Sequence, residues 1–165
     1  GAIMRRMAVF PDSQRLSTII KEAYPRLRAI SEVQASDKPH PDKWSLKELL
    51  GHLVDSASNN HQRIVRMQEL PNIGTFRYSQ LHWVSAQQYQ QEPWNDLVEL
   101  WYRYNRHIAH IIVHTNTDSL QNVCDVGDAE PATLSFIIRD YVRHVEHHLE
   151  QLFSGPDPRE RKRWK

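Results

Sequence analysis

The sequence predicts an all-α protein, a four-helix bundle with a long connection between its second and third helices. Two observations carry that expectation. Four long stretches repeat apolar residues at helical spacing, and nothing between them alternates as a convincing strand. At 1.5 Å per residue each stretch makes a helix roughly 30 Å long, so the four match one another as bundle partners. The 165 residues suit one domain (1–165), with its core over about 12–153 and a basic tail at 156–165.

The first helix is expected from about Asp12 to Ile30, with Leu16, Ile19, Ile20, Ala23 and Leu27 on its stripe. Asp12 and Ser13 offer an N-cap, and Pro25 is expected to kink or divide the helix. A polar connector, Ala35 to Lys43, carries Pro39 and Pro41. Ser45-Leu46-Lys47-Glu48 is a capping-box pattern that opens the second helix. Its stripe is Leu46, Leu49, Leu50, Leu53, Ala57 and Ile64, and it ends before Pro71. From Asn72 to Pro93 the periodicity fades, apart from a short helix around Gln80 to Tyr89. Long ordered connections of this kind often serve as lids or binding loops. The third helix runs from Trp94 or Asn95 to about His114, on Leu97, Leu100, Trp101, Tyr104, Ile108 and Ile111. After a turn-rich segment, Thr115 to Pro131, the fourth spans Thr133 to Phe153 and stops at Gly155-Pro156. Leu134, Ile137, Ile138, Tyr141, Val145, Leu149 and Leu152 form its stripe.

Composition narrows the function. Lys plus Arg number 21 against 20 Asp plus Glu, so no nucleic-acid partner is expected. The basic ending, Arg159 to Lys165, reads as a solvated tail. No apolar run approaches the roughly 20 residues that span a bilayer, and no signal peptide is visible. Cys124 is the single cysteine, which excludes an internal disulfide and fits a reducing cytoplasm. Its polar neighbours offer nothing to activate the thiol. A homodimer is compatible with the helices, although no sequence feature fixes one.

Histidine is the unusual residue, with 10 in the chain, and clustered histidines are the commonest metal ligands. His144 and His148 are four apart in Asp140-Tyr141-Val142-Arg143-His144-Val145-Glu146-His147-His148 and share one helix face, as the two histidines of an HExxH helix do. His147 turns further toward solvent. A catalytic zinc takes three protein ligands and keeps an open position, and His52, at the edge of the second helix's stripe, is the candidate third. That choice needs the second and fourth helices to be neighbours. A competing group, His107, His110 and His114, lies on one flank of the third helix, where a solvated surface is the simpler reading. Asp55, three after His52, and Asp140, four before His144, are placed to orient ligands, and Asp55 and Glu146 are the candidates for a general base. Arg63, Arg66, Arg106, Arg139 and Arg143 are either surface charge or a set gathered around an acidic substrate. Trp83, Tyr89 and Trp94 either close a pocket mouth or simply pack.

The segments Lys43-Trp44-Ser45-Leu46-Lys47-Glu48-Leu49-Leu50-Gly51-His52-Leu53-Val54-Asp55-Ser56 and Asp140 to Leu149 resemble the DinB-like/YfiT-like metalloenzyme superfamily. Ala23-Tyr24-Pro25-Arg26-Leu27, Asn59-Asn60-His61-Gln62-Arg63 and Leu100 to His107 are similar as well, so the resemblance covers most of the chain. It implies a four-helix bundle with one divalent ion, commonly zinc or nickel, held at His52, His144 and His148. It leaves the activity open, because a shared fold hosts many chemistries. The expectation is a metal-dependent enzyme acting on a small molecule, either a thiol-dependent transferase, the preferred reading of the two, or a hydrolase. A transferase would take a low-molecular-weight thiol from outside, since Cys124 supplies none. The alternative is a non-catalytic metal-binding bundle, such as a stress- or damage-response binding protein.

Overall fold

The first long helix, α1 (Phe10–Ala29), starts two residues before Asp12 in the computed structural model, which describes residues 9–154. Val9 is its N-cap without a side-chain bond, and Pro11 sits in the opening turn, where the missing N–H costs nothing. Asp12 and Ser13 therefore do not cap it. Nor does Pro25 divide it: the helix runs through, because Leu16, Ile20, Ala23 and Leu27 are buried on both sides of the proline. A short helix that the periodicity did not reveal follows, α2 (Glu32–Ser36), opened by a capping box between Ser31 and Gln34. It buries only Ala35, too little to make a stripe.

The second long helix, α3 (Leu46–Arg66), begins at the expected box. Ser45 accepts from the Glu48 N–H, and the Glu48 side chain accepts from the Ser45 N–H at 3.1 Å. The connection after it holds β1 (Asn72–Thr75), α4 (Gln80–Gln87) and a 3₁₀ turn at Tyr89–Gln91. The third long helix is α5 (Trp94–Val113), followed by a 3₁₀ turn at Thr117–Ser119, β2 (Val123–Asp125) and β3 (Ala132–Thr133). Thr133 then caps the fourth, α6 (Leu134–Phe153), by accepting from the Phe136 N–H. The Gly155-Pro156 stop and the basic tail lie outside the described residues.

The strands correct the expectation of a chain without them. β2 pairs parallel with β1 and antiparallel with β3, in the order β1-β2-β3. Segments of two to four residues are too short to show alternation, and β1 lies some fifty positions from β2, its partner. The sheet ties the connection after α3 to the one before α6.

Among the long helices, α1 packs on α5 and α6, and α3 also packs on α5 and α6. Going round the bundle the order is α1, α5, α3, α6, so α3 and α6 are neighbours, as a site shared by the second and fourth helices requires. Leu16, Leu27, Leu49, Leu50, Leu53, Trp94, Trp101, Ile108 and Ile112 fill the centre. Two polar links cross it: Trp94 Nε1 donates to the Leu27 carbonyl at 2.9 Å, and the Tyr141 hydroxyl donates to Asn105. Among the described residues no helix is long and apolar enough to cross a membrane.

Candidate metal centre

His52 sits in the second turn of α3, fully buried, with a Nδ1 that has no hydrogen-bond partner among the described residues. Two aromatic rings hold this turn. Trp44 lies 5.0 Å from the imidazole, centroid to centroid. The Tyr89 ring packs against Gly51, so close that a Cβ there would meet Tyr89 Cδ2 at 2.2 Å. The Tyr89 hydroxyl donates to Asp55 Oδ1 at 2.6 Å, and Gln87 Nε2 donates to the same oxygen at 2.7 Å. The connection between the second and third long helices is thereby fastened onto α3 beside His52.

From α6 come His144 and His148, whose rings lie 4.7 Å apart, and His52 meets His148 edge-on at 5.3 Å. His148 Nδ1 lies 3.2 Å from Gln151 Oε1. His147 is exposed, with its Nε2 near Gln151, and takes no part in the approach to His52. His148 is thus the ring that His52 and His144 each approach, and the His147 ring lies 5.7 Å from it on the exposed side. Among the described residues no group of three or more His, Cys, Asp or Glu side chains is placed so as to hold a metal ion. The rings are close without converging on a common centre.

Burial pushes His52 down to about 4, with His144 adding to the effect. Burial, then His144 and His52, push His148 down to about 3. His144, at the cavity wall, is also lowered, chiefly by desolvation. Desolvation favours the neutral form of each of the three imidazoles, the form that offers a lone pair to a metal. A buried His52 nitrogen with no partner and a set of neutral nitrogen donors both fit a divalent ion such as zinc.

Beside the histidines opens a cavity of about 230 Å³. Its wall includes His52, Ser56, Asn60 and Arg63 from α3, Asp140, Tyr141 and His144 from α6, and Arg77, Tyr78, Gln80 and Val126 from the connections. Arg77 bonds Asp125 at 2.9 Å and Asp140 bonds Arg143 at 2.5 Å. Arg77, Tyr78, Gln80 and Val126 were not anticipated individually, and the long aperiodic connection was the sequence's signal for part of this wall. Of the predicted aromatics, Trp94 is core and Tyr89 packs on Gly51.

Asp55 is buried beside His52, but its described bonds are to Tyr89 and Gln87, and its buried Oδ2 has no hydrogen-bond partner among the described residues. Burial raises its pKa. Glu146 is not brought to the cavity, because it pairs with Arg15 of α1. Arg66 lies over Phe76 and Arg106 over Tyr102. The other histidine group, His107, His110 and His114, is exposed on α5, with His110 and His114 rings 4.3 Å apart and His107 5.5 Å from His61 of α3. None of these four lines the cavity.

A four-helix bundle whose second and fourth helices present histidines to one polar cavity defines a class of protein. The chain belongs to the DinB superfamily, whose sequence profile matches residues 15–152. Among solved structures it is similar to YfiT from Bacillus subtilis, described as a probable metal-dependent hydrolase with an unusual four-helix bundle topology. The TM-score is 0.75 at 16% identity, over 87% of this chain and 83% of that one. At that identity the likeness shows the fold. No curated protein sequence matches the chain significantly.

Proposed function

We propose that the chain is a metal-dependent enzyme acting on a small molecule, with one divalent ion held by His52, His144 and His148. The observation that carries this reading is the meeting of three histidines from α3 and α6 at the edge of a polar cavity. When bound, such an ion retains its full double charge and makes water or a thiol acidic near neutral pH. The protein's own share is positional. The Ser45 cap and the Tyr89–Gly51 contact fix the turn that carries His52, and Trp44 shields its ring from water. Zinc and nickel both suit nitrogen donors.

Hydrolysis is the reading favoured by the description of YfiT, and thiol transfer is the second. Cys124 is buried in β2, and burial raises its pKa, so a transferred thiol would be an external low-molecular-weight compound. Metal content by elemental analysis tests the site. About one equivalent is expected in the wild type and in His147→Ala, with loss in His52→Ala, His144→Ala and His148→Ala. Metal unchanged in those three variants would overturn the assignment. Turnover screens on the loaded protein, with and without added thiol, then separate hydrolase from transferase.

A further inference from the structure

Arg63 is a buried cation on the wall of the cavity, and none of the ion pairs among the described residues includes it. It is only 9% exposed. Its terminal nitrogens touch neutral oxygens: Nη2 donates to the Phe76 carbonyl at 2.6 Å, and Nη1 to Asn60 Oδ1 at 3.4 Å. Nε is buried and has no hydrogen-bond partner among the described residues. The Phe76 and Tyr78 rings lie 5.1 and 5.9 Å from the guanidinium carbon. Burial lowers its pKa, but a guanidinium stays charged in proteins.

Bracing the Phe76 carbonyl to α3 explains one N–H and needs no charge. A neutral amide would serve as well, without the cost of burying a cation that lacks a counter-ion. The other charges of the wall do not supply one. Arg77 is itself a cation and is paired with Asp125, and Asp140 is paired with Arg143. What remains at Arg63 is an Nε–H without an acceptor among the described residues and a positive charge faced only by the Phe76 and Tyr78 rings, the half of a fork that two oxygens of one anion complete.

We propose that the cavity takes its small molecule through a compact oxyanion, a carboxylate or a phosphate group, docked on Arg63. This deepens the reading of the cavity as the enzyme's substrate site and rests on it. Arg63 follows His52 by eleven positions on one helix, about 16 Å at 1.5 Å per residue. The anion therefore sits away from His52, and the reactive end of an extended molecule is left toward His52 and His144. The substrate class is an anion-tagged small molecule whose electrophilic group lies at the end opposite the tag.

The test follows the Arg63 Nε–H resonance of the isotope-labelled, as-purified protein during titration with butyrate or inorganic phosphate, with chloride at equal ionic strength as control. A saturable shift with one or both anions and none with chloride is expected, and the anion that shifts it distinguishes a carboxylate from a phosphate tag. Binding read from the Ser56 and Tyr78 amides is expected to weaken about tenfold or more in Arg63→Gln, less in Arg63→Lys, and little in Arg77→Gln. No saturable shift with either anion, or binding undiminished in Arg63→Gln, overturns the proposal. Should Arg63→Gln fail to fold, the wild-type Nε–H shift and Arg63→Lys decide it. His52→Ala separates the two readings, because anion binding there is expected to persist without metal. Anion binding in a wild type that holds no metal would defeat the metal assignment and leave Arg63's role standing. Metal with no anion shift would do the reverse.

Discussion

At Gly51 the space that matters is the space for a partner's ring. Tyr89 occupies the volume a side chain would take, and from there its hydroxyl reaches Asp55. Gly51→Ala forces the ring to move and is expected to lower stability by about 1–3 kcal/mol in urea unfolding, as overpacking does. A variant as stable as the wild type would show that Tyr89 is not held there. Asp55 itself has a pH signature. Burial raises its folded pKa above the ordinary 3.8, so folding favours its protonated form. The stability it contributes is complete below the unfolded value and is lost as pH rises through the folded one. Asp55→Asn does not titrate, so its stability relative to wild type should improve as pH is raised from 4 toward 7. A difference that stays flat across that range would remove the buried carboxylate from the account. His144 and His148 were legible because i, i+4 spacing is a property of the chain itself. Arg63 was legible only as one of several arginines. What buries it is the Phe76–Tyr78 segment, which meets α3 through tertiary contacts that no local pattern announces.

The long helices could be read from the sequence wherever a cap or a buried stripe marked them. Ser45 and Glu48 placed the start of α3 correctly, and Thr133 marked the start of α6. At α1 two polar residues resembled a cap, but the helix had already begun on Phe10 and Pro11. The strands were invisible because each is only two to four residues long and the first pairing is distant: Val123 donates to the Pro71 carbonyl at 2.9 Å, and Asn122 Nδ2 to the Met67 carbonyl at 2.7 Å. Ser45 does more than cap. Its hydroxyl also donates to Gln90 Oε1 at 2.5 Å, linking the first turn of α3 to the segment that carries Tyr89. Ser45→Ala removes both bonds at a buried position and should cost at least the roughly 1 kcal/mol of an ordinary N-cap. Thermal unfolding measures this, and Ser31→Ala on the short, exposed α2 cap should cost less. Equal losses at the two caps would mean that the Gln90 link adds nothing.

At the scale of the whole molecule, the order α1, α5, α3, α6 brings helices distant in sequence into contact, and the histidines lie on the α3–α6 seam. An ion held there joins two helices whose connection runs through α4, α5 and the small sheet, so it bears on the global unfolding equilibrium. Ion present at about 100 times its dissociation constant adds about 2.7 kcal/mol to a folded state that binds it and an unfolded state that does not. For a chain of this size that corresponds to roughly 5–10 °C in melting temperature. Chelation should therefore lower the melting temperature of the wild type and of His147→Ala by about that amount, and re-addition of zinc or nickel should restore it. His144→Ala, which leaves His52 and α3 untouched, should melt at one temperature with or without metal. The side of the seam also matters: amides in α3 and α6 should exchange more slowly when metal is added, and those of α1 should follow only the global change. If α1 gained local protection while α3 and α6 did not, the ion would be bound elsewhere, and the His61–His107 seam between α3 and α5 would be the next place to look.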